Sequence, residues 1–214
     1  MHKNIFRYLK VIAKRLVIAF LFATSIIFIT FLIFGKKIDK SVALINKVFV
    51  FNNSYQKRDR EVEFDKVKKK LKVYPSFGEV FGNVLIPSIK VDVTLYHGES
   101  LKNLKYGLGH HAGSFFPGEG GSIIIAGHNT YGQLYDLPKV KIGDMIIIKT
   151  IYGNYSYSVS NTYVIDALEL NRSLSLNNDK ESVMLYTCYP VEIPGFKSKR
   201  FVVVADLVGD SDEE

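Results

Sequence analysis

The sequence predicts a mainly β protein, a closed or nearly closed barrel of about eight short strands behind one N-terminal transmembrane helix. Three observations predict it. An uncharged apolar run extends from Leu16 to Phe34. Beyond Pro75, β-rich runs alternate with turn residues as far as Leu207. Between those runs only short stretches suit a helix, and so many short strands in one domain are best accommodated by closure, which removes exposed edges.

Composition excludes several function classes. The 214 residues are 47% hydrophobic and 23% charged, so the chain is neither disordered nor low in complexity. The net charge of +7 resembles a nucleic-acid signature, but it is unevenly placed. Residues 1–40 hold eight Lys/Arg and one acid, which accounts for all of it. The remaining 174 residues balance 20 basic against 20 acidic side chains, so no nucleic-acid partner is expected.

The apolar run explains that asymmetry. Nineteen helical residues at about 1.5 Å each span roughly 28 Å, close to the bilayer hydrocarbon thickness. Lys14 and Arg15 close one end, Lys36 and Lys37 the other. Five Lys/Arg in the first fifteen residues place the N-terminus in the cytoplasm and the rest outside. A cleaved signal peptide would have a shorter apolar region and a small-residue cleavage site, which Ile33-Phe34-Gly35-Lys36-Lys37 lacks. The organisation read from sequence is therefore a basic cytoplasmic tail (1–15), an anchor (16–34), an extracellular stalk (35–77), a β-barrel domain (78–208) and an acidic tail (209–214). The stalk includes a dense charge run from Lys57 to Lys72, read as a solvated helical or extended segment.

The strands follow in order: Gly82–Ile86, Val91–Tyr96, Ser122–Ala126, Met145–Thr150, Tyr155–Ser160, Thr162–Ile165, Val183–Thr187 and Phe201–Leu207. Tyr152-Gly153-Asn154 reads as a hairpin turn. Tyr155 to Ser160 alternates strictly, as a half-buried strand does. Ile123-Ile124-Ile125 and Val202-Val203-Val204 are apolar on both faces and read as central strands covered on each side. Short helices are expected at Glu99–Leu104 and Gln133–Leu137.

Chemistry concentrates at strand ends. Cys188 is the single cysteine, so no intramolecular disulfide is possible, and an unpaired thiol outside the membrane is either incidental or reactive. It follows the apolar strand Val183–Thr187. A thiol nucleophile needs a base and an oxyanion partner. His128 ends the strand Ile123-Ile124-Ile125-Ala126-Gly127, and Arg200 opens the strand Phe201–Leu207. His110 and His111 fall in a Gly-rich loop and read as solvated or capping residues. His2 is cytoplasmic in this topology. No His/Cys spacing suits a structural metal, and no phosphate-binding glycine loop joins a strand to a helix. No cofactor is expected.

Leu185-Tyr186-Thr187-Cys188, with Ala126-Gly127-His128 sixty residues earlier and Arg200-Phe201-Val202-Val203 after it, resembles the sortase signature. Ile86-Pro87-Ser88-Ile89, Tyr96-His97-Gly98, Pro117-Gly118-Glu119-Gly120-Gly121 and Gly143-Asp144 support it, and the resemblance covers about residues 78–208. It implies an eight-stranded sortase barrel, a membrane-anchored cysteine transpeptidase. Such an enzyme cuts a Leu-Pro-x-Thr-Gly-like sorting signal after Thr, through a thioester, and passes the acyl group to a cell-wall amine such as a peptidoglycan precursor. By the motif, Cys188 is the nucleophile, His128 the general acid/base and Arg200 the oxyanion and substrate-binding residue. The Thr-Cys-Tyr-Pro run is most like class D, whereas Asn129 after His128 resembles class B. No Asp-Pro-aromatic lid motif and no second span appear, which disfavours a pilus-polymerising class C enzyme. Calcium dependence is left open. Two alternatives also remain at this point: another extracellular cysteine peptidase or transpeptidase acting on peptidoglycan, or a non-catalytic tethered β-barrel binding module.

Overall fold

The computed structural model describes residues 10, 12–30, 62–173, 180–191 and 197–211. The first unit of the chain holds helix α1, Ile12–Thr30, nineteen residues long and apolar enough to cross a membrane. Its polar side chains Thr24 and Thr30 donate to the carbonyls of Leu21 (2.9 Å) and Ile26 (2.8 Å), the local satisfaction a lipid environment demands. Residues 31–34 of the expected anchor and 35–61 of the expected stalk lie outside the described residues.

The second unit is the barrel. Strands β3 (Val80–Ile86), β4 (Val91–His97), β5 (Leu108–His110), β6 (Ser122–Gly127), β7 (Met145–Thr150), β8 (Gly153–Asp166), β9 (Ser182–Tyr189) and β10 (Lys199–Ser211) close in the order β10-β8-β7-β3-β4-β5-β6-β9. Pairing is antiparallel except for β4 with β5 and β6 with β9, which are parallel. Short helices α2 (Leu101–Tyr106) and α3 (Ala167–Ser173) lie between strands.

Side-chain alternation drives the closure. In β7, Ile146, Ile148 and Thr150 are buried while Met145, Ile147 and Lys149 are not. In β8, Tyr155, Tyr157 and Val159 point inward and the intervening serines do not. Ile123, Ile124 and Ile125 are all buried, as their two-faced apolar pattern requires. Glu181 seals one end: its buried carboxylate accepts from Gly118 N–H and Gly120 N–H (2.9 Å each) and from the Tyr157 hydroxyl (2.7 Å).

Several local readings are corrected. Tyr155–Ser160 and Thr162–Ile165 are one continuous strand, because β10 pairs with both halves and absorbs the irregularity as a bulge between Val204 and Ala205. The helix expected at Glu99–Leu104 begins at Leu101, since Ser100 caps it by accepting from Asn103 N–H. At Gln133–Leu137 the chain makes turns, followed by a 3-10 helix at Leu137–Lys139. Residues 62–73, read as stalk, include a hairpin of β1 (Glu63–Asp65) and β2 (Lys70–Val73) that packs on the barrel through Leu71, 3% exposed. Strand β10 continues to Ser211, into the segment read as a tail.

His110 differs most from expectation. It is not a loop residue but lies in β5, fully buried, because Phe81 and Phe116 enclose its ring. The Phe115 carbonyl can only accept, so Nε2 of His110 carries the proton (2.9 Å) and its bare Nδ1 accepts from His97 Nδ1–H at 3.2 Å. Burial holds the His110 pKa down at about 4, against an ordinary 6.5. The unfolded chain therefore takes up this proton near pH 6.5 and the folded one only near pH 4. Stability should fall as pH drops through that window, by up to about 3 kcal/mol, and the loss is complete below it. Melting temperature measured by circular dichroism from pH 7 to 4 should show this slope. In His110→Gln, whatever its starting stability, the slope should flatten.

Candidate active site

Strand register brings Cys188, His128 and Arg200 together. Parallel β6 and β9 pair Gly127 with Thr187, so the next residues, His128 and Cys188, leave the two strand ends side by side. Antiparallel β10 places Arg200 directly opposite Cys188. Alternation puts all three on one face. Leu185 and Thr187 are buried inward, as are Ile123 and Ile125, which leaves Cys188 and His128 on the outer parity. Val203 and Ala205 likewise face the core, leaving Arg200 outside. Neighbouring strands are about 4.8 Å apart, so the three backbone positions span roughly 10 Å of one rim.

Each position is fixed by local chemistry. The Thr187 hydroxyl, 1% exposed, donates to the Gly127 carbonyl at 2.9 Å and locks the ends of β9 and β6 in register. This gives the threonine of the Thr-Cys pair a physical role. Gly127 is tightly enclosed: a Cβ there would meet Leu108 Cδ2 at 2.4 Å and Leu134 Cδ1 at 2.6 Å, so both leucines would have to shift. Leu134 presses on Gly127 because the chain doubles back, with Leu134 N–H bonded to the His128 carbonyl (3.0 Å). His128 has passed the end of the ladder, and its N–H is taken by the Gln133 side-chain oxygen at 2.9 Å. Gln133 Nε2 in turn donates to the Leu104 carbonyl (2.9 Å), tying the turn to α2.

Electrostatics complete the picture. Partial burial lowers the His128 pKa, which favours the neutral imidazole at neutral pH, the form able to accept a thiol proton. Cys188 is partly exposed. Arg200 is half-buried, and Nη1 donates to the Lys197 and Lys199 carbonyls at 2.9 Å each. That leaves Nη2 and Nε of the five-donor fork for another acceptor. Two residues before the thiol on the same face, the Tyr186 hydroxyl donates to Glu99 Oε2 (3.0 Å), whose other oxygen holds His111 Nδ1 at 2.6 Å. Burial, then the Glu99 charge, pushes the Tyr186 pKa up, so it stays a neutral donor.

All three predicted site residues thus meet at one rim, while His110 and His111 do not: one is buried in the core, the other paired with Glu99. Sequence reading missed Gln133 and Glu99, which lie five residues after His128 and 89 before Cys188; only the folded turn and loop bring them in. Among the described residues, no three His, Cys, Asp or Glu side chains gather where they could hold a metal.

Known proteins share this fold. A family profile for the sortase domain matches residues 84–208. Sortase D of Bacillus subtilis (strain 168) is 29% identical over 146 residues, covering 67% of this chain and 72% of that protein. The Listeria monocytogenes sortase A structure superimposes with a TM-score of 0.57 at 27% identity, covering 63% of this chain and 91% of that one. The Clostridium perfringens Sortase D5 transpeptidase shares the fold with a TM-score of 0.57 at 24% identity, covering 80% and 99%. With the profile spanning more than half of the chain and the barrel carrying the sortase motifs at one rim, the chain belongs to the sortase family of cysteine transpeptidases.

Proposed function

We propose that this chain is a membrane-anchored, extracellular sortase of class D type that cuts a Leu-Pro-x-Thr-Gly-like sorting signal after Thr and transfers the acyl group to a cell-wall amine. The observation that carries the reading is the shared rim of His128, Cys188 and Arg200 on the ends of β6, β9 and β10. His128 accepts the thiol proton of Cys188, and the thiolate attacks the Thr carbonyl carbon. The Arg200 fork donates to the oxygen that gains charge. On collapse the C–N bond breaks, and His128 returns the proton to the leaving amine, which leaves a thioester on Cys188. An incoming amine then repeats the sequence in reverse, giving up its proton to His128 and releasing the thiol.

Helix α1 suits the anchor, with residues 1–15 inside by the positive-inside rule and the barrel outside. Incubation with a panel of sorting-signal peptides, followed by mass spectrometry of the intact protein, tests the reading. A mass increment on Cys188 equal to the peptide cut after Thr is expected. Hydrolysis of wall peptides with no adduct from any sorting peptide would replace it with peptidoglycan processing.

Gln133 provides a further expectation. Gln133→Ala leaves the His128 N–H without its partner and frees the turn, so kcat should fall about tenfold while KM changes little. Gln133→Glu keeps an acceptor for that N–H and should recover part of the loss.

A further inference from the structure

The hairpin β1–β2 is a lysine-tipped arm on the barrel end opposite the Cys188 rim. β9 and β8 reach that rim with their C-termini and β10 with its N-terminus, Asp166 lying opposite Lys199. Tyr152 and Gly153, where β7 turns into β8, are therefore at the far end. The hairpin is seated there. Phe64 stacks on Tyr152 with ring centroids 5.4 Å apart. The Leu71 N–H (3.1 Å) and Tyr74 hydroxyl (2.8 Å) both donate to Glu119 in the loop before β6. These contacts couple the orientation of the hairpin to that of the barrel.

At the tip, Lys66, Lys68, Lys69 and Lys70 are all exposed, and Val67 among them is 94% exposed. Glu63 pairs with Lys72, and Asp65, whose Oδ1 accepts from Val67 and Lys68 N–H (3.1 Å each), keeps its charge, so the tip carries a net 4 − 1 = +3. A bare aliphatic side chain ringed by ammonium groups matches a surface that is anionic at its boundary and apolar beneath.

We propose that this tip docks on the anionic headgroup surface of the membrane that anchors the chain, holding the Cys188 rim at the end of the barrel away from the lipid. The proposal rests on the membrane-anchor reading of α1 but not on the transpeptidase chemistry. Each net positive charge near an anionic surface contributes about fivefold in partition, so a net of three contributes on the order of 10²-fold. β10 ends with Ser211 at this end of the barrel, and the sequence after it, Asp212-Glu213-Glu214, is acidic. A modest net attraction suffices, because the anchor already supplies an effective concentration in the millimolar range.

The test uses the full chain reconstituted in nanodiscs. With Cys188→Ala removing the one native thiol, Val67→Cys takes an environment-sensitive fluorophore, and Ile142→Cys, 72% exposed at the other end of the β7–β8 hairpin, serves as control. In discs of phosphatidylglycerol and phosphatidylcholine the Val67 label should shift to the blue and be quenched by doxyl lipid. It should do neither in pure phosphatidylcholine, and the Ile142 label should stay aqueous in both. Replacing the four lysines by Gln should abolish the shift, while the same replacement in the native chain leaves cleavage of a soluble peptide unchanged. A Val67 label that reports water in anionic discs overturns the proposal. So does a shift that appears only when soluble poly(glycerol phosphate) is added, which assigns the arm to wall polymer. Flotation of the full chain with neutral vesicles checks the anchor separately.

Discussion

Cys188→Ala should yield a folded barrel that forms no acyl-enzyme and cleaves no sorting peptide, with turnover reduced by at least about 10⁴. Cys188 is partly exposed and ends a strand held by backbone pairing, so loss of its sulfur should change stability by less than about 1 kcal/mol. His128→Ala should cost nearly as much, because the thiol then has no proton acceptor and the leaving amine no donor. The two act as one unit, so the double variant should be no slower than Cys188→Ala alone. The other histidines discriminate. His111→Ala should lose only the Glu99 contact, and His110→Ala should lower the melting temperature by opening the core around Phe81 and Phe116. The measurement is kcat/KM on one cleavable peptide for variants shown to be folded. Equal losses at His110, His111 and His128 would mean that the base is misassigned.

Arg200→Lys should cost roughly 10²–10³ in turnover, the effect of removing one oxyanion donor. The charge is kept but the fork is lost. In the structure Nη1 is committed to the Lys197 and Lys199 carbonyls, which orients the guanidinium plane and leaves Nη2 and Nε for the substrate oxygen. An ammonium on a flexible stem cannot hold two backbone carbonyls and a developing oxyanion in one plane. Arg200→Ala should cost at least as much, and Arg172→Ala, in α3, should cost little. Near-native activity of Arg200→Lys would reduce the arginine to a source of positive potential and move the oxyanion contact to a backbone N–H such as that of Tyr189.

Much of this was readable from order along the chain, because the signals are local. A nineteen-residue apolar run, period-two alternation in Tyr155–Ser160 and the triple-isoleucine strand each announce themselves within a few residues. The candidate site was readable for a related reason. Cys188 and His128 read as candidates because each lies at a strand end, and the resemblance to the sortase signature added Arg200.

What escaped was set by contacts distant in sequence. Residues 108–110 carry two-residue spacing too short to register as a strand, and they become β5 only because β4 and β6 present edges on either side. The charged segment 62–73 reads as solvated because its seat on the barrel is decided by Leu71, by Phe64 stacked on Tyr152 and by the carboxylate of Glu119, 48 residues beyond Leu71. His110 looks like a loop residue among glycines until Phe81 and Phe116 close over it and the Phe115 carbonyl and Ser114 hydroxyl take up its Nε2–H.

By itself, then, the sequence determined the anchor-length helix and the β character of the rest, since hydrophobic period acts at short range, and its resemblance to the sortase signature singled out three side chains for chemistry. The tertiary structure alone decided that those three share a face and a rim. Barrel closure sets the register of β6, β9 and β10, and a shift of one residue in any of them would send its member of the set into the core.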